Sequence, residues 1–225
     1  MRKWGIWITT FYFLIVTGLI LPGVQLLMKD RPESLTEWLG IYHDWLVWLW
    51  IGILVGGEAL LLFLSVDPSH KRLRPRQHVL ASAALVTLMV ALLAFAGVVS
   101  LLVAMIGDKL FDQPFGPYLD SRFKIIAWVL GFWLVWGVIF WRRLGSPAAE
   151  PVQIIPWLRK GSVLELLIAV PAHIVVRHRD DCSAPMATGF GIATGLAIML
   201  LCFGPGVLLL YRDRLHRNAR QSTLG

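Results

Sequence analysis

The sequence predicts an all-α integral membrane protein, a bundle of about six transmembrane helices with both termini in the cytoplasm. Hydrophobic residues make up 57% of the 225-residue chain and charged residues only 16%, against about 25% in a soluble domain. Six apolar stretches separated by short loops account for this composition, and a helix needs ~20 apolar residues to cross a bilayer. The predicted spans are 7–27, 44–66, 79–106, 123–141, 162–177 and 187–211.

Lys and Arg residues divide unequally between the two sides of these spans. With the N-terminus in the cytoplasm, the inner segments hold 14 of them and the outer loops hold 7. Because Lys and Arg in short loops stay cytoplasmic, this asymmetry predicts the orientation of a multi-pass protein in the inner (plasma) membrane of the cell. The basic residues that give the chain its net charge of +7 lie in clusters that flank the spans. This placement indicates the lipid bilayer as the partner and not nucleic acid.

A loop rich in Pro and Ala divides the chain into two predicted halves. Residues 1–143 form a four-helix half, 144–161 a cytoplasmic loop, and 162–225 a two-helix half with a basic cytoplasmic tail. The fifth segment is short and contains Glu165 and Pro171. We expect it to span the membrane, with an extension back to Pro156 supplying length. The alternative is a re-entrant segment that is buried in protein.

Two carboxylates lie inside the predicted spans. Glu58 follows two glycines in the second span, and Glu165 lies early in the fifth. An ionisable side chain in the hydrocarbon is costly, so each is a candidate for function. The predicted topology allows them to share one layer of the inner half. Each carboxyl group is either a hydrogen-bonded structural group or part of a proton relay.

Two histidines are predicted at a similar depth near the outer surface. His43 begins the second span and His173 lies near the outer end of the fifth. Such a pair could ligate a heme or a metal, with Arg177 and Arg179 close enough to hold heme propionates. The alternative is that both are interfacial histidines that are hydrogen-bonded to the backbone.

Short motifs in the first two spans can be compared with a known family. The first span begins with Lys3-Trp4 and contains Thr17-Gly18, and the second begins with His43-Asp44-Trp45-Leu46. These residues resemble the first two helices of b-type cytochrome membrane subunits, the anchors of respiratory dehydrogenases and hydrogenases. The resemblance covers at most residues 1–141. It implies heme b in a four-helix bundle and electron transfer to or from quinone.

The chain departs from that family at most heme-ligand positions. Lys3 stands where the first helix carries a histidine, Glu58 stands at the inner ligand position of the second helix, and 123–141 contains no histidine. Only His43 matches a ligand. The resemblance therefore implies one atypical heme b or no cofactor, and it does not imply a diheme site.

The sequence from 161 to 211 resembles no family pattern. Gly191 and Gly195 form a small-xxx-small pair, which predicts close helix packing. Charged residues and one thiol are concentrated in the loop before these glycines. This loop could form a salt-bridged cap or a surface on which a partner docks. A metal site is a further alternative, although the spacing matches no known metal-binding motif. The residues of this surface cluster are His178, Asp180, Asp181 and Cys182.

Taken together, these patterns predict a small accessory or anchor subunit of a multi-subunit membrane complex. Its partners would be other membrane-protein subunits, with electron transfer as the theme. A stand-alone enzyme is not expected, because the chain contains no nucleophile constellation and no nucleotide-binding loop. The first alternative is a small transporter or channel that uses Glu58 and Glu165. The second is a purely structural assembly subunit.

Overall fold

A computed structural model describes residues 2–27, 34–66, 76–106, 122–144, 151–178 and 185–203, and almost all of these residues are helical. The all-α prediction is confirmed for this part of the chain. The elements are α1 (Arg2–Ile15), a π-helical turn (Val16–Ile20), α2 (Leu21–Leu27), α3 (Leu35–Gly40), a 3-10 turn (Ile41–His43), α4 (Trp45–Val66), α5 (Arg76–Ile106), α6 (Arg122–Leu144), α7 (Pro151–Arg177) and α8 (Pro185–Phe203).

Within the described ranges, four helical segments are long and apolar enough to cross a membrane. The protein is therefore an all-α membrane protein. In α6 the apolar stretch Lys124–Ile139 is shorter, and α7 carries charged residues along its length, so the number of six spans stays a prediction. The four segments are Gly5–Leu26, Trp45–Leu62, Ala84–Ile106 and Pro185–Phe203.

Helices α3 and α4 begin at residues that cap them. The Ser34 side chain accepts a hydrogen bond from the backbone N–H of Glu37 at 3.3 Å, and Ser-x-x-Glu is the capping-box pattern. The Asp44 side chain accepts from the N–H of Leu46 at 3.0 Å and caps α4 in the same way. These caps fix the chain between the first and second long helices.

A π-helical turn joins α1 to α2 without ending the helix. The turn covers Val16–Ile20, and its Val16 and Ile20 side chains are buried. A π turn leaves backbone carbonyls out of the ordinary helical pattern. The carbonyl of Thr17 accepts a hydrogen bond from the Tyr42 hydroxyl. This bond ties the first long helix to the 3-10 turn that precedes α4.

Helix α7 corrects two predictions for the fifth segment. It runs unbroken from Pro151 to Arg177 through Pro156 and Pro171, so its 27 residues extend ~40 Å. A re-entrant reversal is therefore wrong. The predicted loop 144–161 is also wrong from residue 151 onward, because the missing N–H of Pro151 costs no hydrogen bond in the first turn of a helix. The two predicted halves also pack together, mainly through α5 and α7.

Contacts fix the relative directions of four helices. In α5 and α7, Leu93 is near Gly161 and Gly97 is near Glu165, so these two helices run parallel. Helix α8 runs antiparallel to α7, because His173 contacts Thr188 whereas the earlier residue Ile155 contacts the later Cys202. The remaining pair, α4 and α8, is parallel by the contacts described below.

Helix α8 is the most deeply buried of the four apolar segments. Of its apolar segment, 56% is buried inside the protein, against 28% to 44% of the other three segments. Gly191 lets it approach α7, because a Cβ there would lie 3.3 Å from Cβ of Ala169. At Gly195 a Cβ would lie 3.0 Å from the Leu166 side chain. The small-xxx-small pair therefore faces α7 directly.

We expect Gly191→Ala to lower the unfolding free energy of the purified protein by about 1–3 kcal/mol, because the added methyl group has no space beside α7. Gly52→Ala is the matched control. A Cβ at Gly52 meets nothing within 4 Å, so the substitution should leave stability unchanged or raise it by up to about 1 kcal/mol through helix propensity. Thermal unfolding in detergent, followed by circular dichroism, measures both. Equal effects of the two substitutions would contradict the close packing.

Candidate functional site

Buried polar side chains follow one face of α7. Ser162, Glu165 and His173 are 0%, 3% and 5% exposed. Their spacings of three and eight residues bring them to the same side of a helix. This face points into the bundle, whereas Leu164 and Leu167 on the opposite side are exposed. Some of the charged and polar residues that make α7 less apolar than an ordinary span are therefore buried inside the bundle.

The Glu165 carboxylate lies where α5, α7 and α8 meet. A Cβ on Gly97 would overlap Oε2 of Glu165. A Cβ on Gly191 would lie 3.0 Å from Oε1 of Glu165 and 2.6 Å from Oγ of Ser100. The two glycines therefore provide the space that the carboxylate occupies. We call Gly97, Ser100, Glu165 and Gly191 the glycine cradle.

Two oxygen atoms in the glycine cradle have no hydrogen-bond partner within the described ranges. They are Oε1 of Glu165 and Oγ of Ser100, and both are buried. A buried polar atom without a partner costs about 1–3 kcal/mol, so such atoms call for an explanation. Both atoms lie within 3.0 Å of the point that a Gly191 Cβ would occupy. One small polar species placed between them would satisfy both.

Glu58 is the second buried carboxylate, 1% exposed, and its Oε2 has no hydrogen-bond partner in the part of the chain that the structure describes. It lies within electrostatic range of the Tyr12 hydroxyl on α1 and the Cys202 thiol on α8. The Tyr12 hydroxyl donates to the backbone carbonyl of Ala197 at 2.9 Å. Glu58 therefore faces the interior at the junction of α1, α4 and α8.

The two carboxylates lie at different levels of the bundle. Gly57 contacts Met89 on α5, whereas Glu165 contacts Gly97 on the same helix. These α5 positions are eight residues apart, which corresponds to ~12 Å along the axis. The prediction that Glu58 could share one layer with Glu165 is therefore wrong. Sequence position within each span could not reveal the offset, because it depends on how the helices slide against each other.

His173 lies on α7 eight residues beyond Glu165, again ~12 Å along the helix. Its Nδ1 is 2.8 Å from Oγ1 of Thr188 on α8. The Thr188 hydroxyl donates to the carbonyl of Pro185 at 3.2 Å, so Nδ1–H of His173 is the donor to Thr188. In the neutral ring Nε2 is then the nitrogen that takes up a proton.

Glu58, Glu165 and His173 thus form a buried polar column, with ~12 Å between successive levels. Hydrogen bonds to α8 extend from the level of Glu165 toward the level of Glu58. On α8, Oγ1 of Thr194 accepts a hydrogen bond from the Trp50 indole at 3.2 Å, and Ala197 binds the Tyr12 hydroxyl. Since Trp50 and Glu58 meet Thr194 and Cys202 in the same order, α4 and α8 run parallel.

The two predicted heme ligands lie in different environments. His43 is exposed at the end of the 3-10 turn, whereas His173 is buried between α7 and α8. A bis-histidine heme needs two imidazoles that face each other across one porphyrin plane. His173 is enclosed between α7 and α8 and His43 is not, so a heme held by these two residues stays a prediction. Arg177, the predicted partner of a propionate, is exposed at the end of α7.

The surface cluster is described only in part. His178 is exposed, and its Nδ1 is 2.7 Å from the carbonyl of Ile174. Arg179, Asp180, Asp181 and Cys182 lie outside the described residues. Among the residues that are described, no group of three or more His, Cys, Asp or Glu side chains could hold a metal ion.

Several residues of the interior were not predicted as functional. Gly97 and Ser100 are three positions apart in the third span. This spacing brings a small residue and a hydroxyl group to one face of a helix. The signal is visible in the sequence. Thr188 and Thr194 show the same spacing relative to Gly191. Tyr12 gives no such signal, because an aromatic residue in a span is ordinary.

Comparison with known family models, with curated proteins and with solved structures finds no match for this chain. The resemblance of residues 1–141 to b-type cytochrome subunits therefore stays a prediction. The function has to be argued from the buried groups themselves.

We expect the purified protein, expressed with an ample supply of heme, to show no Soret band, because His43 is exposed whereas His173 is buried and hydrogen-bonded to Thr188. An absorption spectrum of the protein before and after dithionite reduction tests this. A Soret band that is lost both in His43→Ala and in His173→Ala would contradict the expectation.

Proposed function

We propose that this protein carries protons through the interior of its helical bundle, as a small proton-conducting or proton-coupled membrane transporter. The protons bind at Glu58, Glu165 and His173, the members of the buried polar column. The observation that carries the proposal is the burial of two carboxylates, 1% and 3% exposed, each with a buried oxygen atom that has no partner in the described ranges.

The energetics of burial support this role. No Lys or Arg in the described ranges forms an ion pair with Glu58 or Glu165, and an uncompensated charge in the interior costs on the order of several kcal/mol. A carboxyl group in such a place is more stable with a proton bound than as an unpaired anion. Groups of this kind in membrane helices line proton relays, where Asp, Glu and His alternate between two protonation states.

The order of the polar column also supports transport over a purely structural role. In a purely structural role both oxygen atoms of a buried carboxyl group would be hydrogen-bonded, whereas Oε1 of Glu165 and Oε2 of Glu58 have no hydrogen-bond partner in the described part of the chain. The levels are ~12 Å apart, too far for direct proton transfer, which needs a hydrogen bond or one bridging water. The Tyr12 hydroxyl lies at a level between the two carboxylates, and waters would complete the path.

The helix directions agree with the predicted topology. Helices α5 and α7 would be the third and fifth spans, and α4 and α8 the second and sixth. In an alternating six-span bundle the members of each pair run parallel, as their contacts require. This agreement supports six spans with both termini on one side of the membrane, and the Lys and Arg asymmetry favours the cytoplasmic side of the inner (plasma) membrane. Glu58 would then be nearest the cytoplasm and His173 nearest the outside.

We expect Glu165→Gln and Glu58→Gln each to reduce proton flux at least tenfold, because an amide cannot bind and release the proton. The measurement is the rate of internal pH change in proteoliposomes under an imposed membrane potential, with a trapped fluorescent dye. Glu37→Gln is the matched control, since Glu37 is an exposed carboxylate on α3. The thermal midpoints of the Gln variants should not fall, because Gln has the shape of a protonated Glu. Full flux in Glu165→Gln, or no flux in the wild type, would contradict the proposal.

The orientation can be tested with the native thiols. Cys182 lies in the predicted outer loop, whereas Cys202 is buried. We expect a membrane-impermeant maleimide to label the protein in intact cells stripped of any outer membrane, and Cys182→Ser to abolish the labelling. Labelling of Cys182 only in inside-out vesicles would show that the orientation is reversed.

A second candidate function is an anchor subunit of a larger membrane complex, and helix α6 favours it. Every described side chain of α6 from residue 124 to 139 is at least partly exposed, and the helix packs mainly against α5. A partner subunit could cover this helix as well as lipid does. Mild-detergent purification followed by mass spectrometry should then show a stoichiometric partner. Full proton flux from the isolated chain would instead favour the transporter.

A further inference from the structure

A shallow groove on the exposed side of α7 combines two cations with an apolar floor. It has a volume of about 320 Å³ and is lined by Arg159, Lys160, Val163, Leu164 and Leu167. These residues follow the i, i+4, i+8 spacing of one helix face. The cations are at one end of the groove, and the apolar side chains continue toward the other.

The apolar stripe continues beyond the groove. Leu164 and Leu167 are 59% and 67% exposed, and Val170 and Ile174 are also exposed farther along the same side of α7. From Arg159 to Ile174 the stripe extends ~22 Å. One leaflet contributes ~15 Å of hydrocarbon, so the stripe can accompany an acyl chain through a whole leaflet.

The residues at the charged end of the groove are of the types found at a membrane surface. Trp157, an exposed indole, precedes Arg159 by two residues, and tryptophans of this kind are enriched at the interface with lipid headgroups. Arg159 and Lys160 are exposed, and neither forms an ion pair with a residue in the described ranges. Two unneutralised cations therefore lie directly beside a surface that suits a lipid tail.

We propose that this groove is a binding site for one anionic phospholipid. The lipid phosphate binds Arg159 and Lys160, where the guanidinium group can donate two parallel hydrogen bonds, and an acyl chain lies along Val163, Leu164 and Leu167. Charge complementarity selects an anionic headgroup over a zwitterionic one, whose own ammonium group would lie beside the two cations. The site is on the face of α7 opposite Glu165, so it is independent of the proposed proton path.

Native mass spectrometry of the detergent-solubilised protein, titrated with phosphatidylglycerol or phosphatidylcholine of equal chain length, tests the proposal. We expect the wild type to bind phosphatidylglycerol at least tenfold more tightly at one site. The double variant Arg159→Gln/Lys160→Gln should retain less than a threefold preference. The charge-conserving double variant Arg159→Lys/Lys160→Arg should keep most of the preference, which shows that altered folding is not the cause of the loss.

The matched control removes two other exposed cations. Lys124→Gln/Arg177→Gln makes the same change in net charge on α6 and at the far end of α7, and it should bind phosphatidylglycerol like the wild type. Equal loss in the two Gln pairs would overturn the site, because the attraction would then be nonspecific. Displacement of the lipid by a hundredfold excess of inorganic phosphate would also overturn it, because free phosphate and not a lipid would be the occupant.

Discussion

The close contact of α5, α7 and α8 around the Glu165 carboxylate is the constraint on which the rest of the bundle depends. A carboxylate can be buried there only because Gly97 and Gly191 leave the volume of two side chains free. The same glycines set the distance between the helices. A larger residue at either position would separate the helices or expel the carboxylate, so the packing and the chemistry of this layer cannot be changed independently.

Helix α8 transmits this constraint to the other helices. It holds His173 through Thr188, the Trp50 indole through Thr194, and the Tyr12 hydroxyl through its backbone at Ala197. Each of these bonds fixes the register of one neighbouring helix against α8. The vertical offset between Glu58 and Glu165 follows from those registers. The buried polar column is therefore a consequence of helix packing and not of any local motif.

Much of the fold could be predicted from the sequence, because apolar length and helix caps are local properties. The second span, 44–66, coincides with α4, and Asp44 caps it as its position suggests. The burial of Glu58 and Glu165 also follows from their places in apolar stretches. The glycine cradle could not be predicted, since pairing Ser100 with Glu165 requires knowing which faces of α5 and α7 meet.

The fifth segment shows why a local pattern can mislead. Pro156 and Pro171 each remove one backbone hydrogen bond without ending the helix, and membrane helices tolerate this because their neighbours and side chains can compensate. The polar residues of α7 divide by face: Glu165 and His173 point inward, whereas Arg159 and Lys160 are exposed at its first turns.

A hydropathy average over the segment counts the inward-facing and the exposed polar residues together, and it therefore indicates a weak membrane span. In the folded bundle neither group has to contact the hydrocarbon, since protein surrounds the first and lipid headgroups can surround the second. The same division would let one helix serve the proposed proton path on its inner side and the proposed lipid site on its outer side. An apolar helix of the same length could do neither.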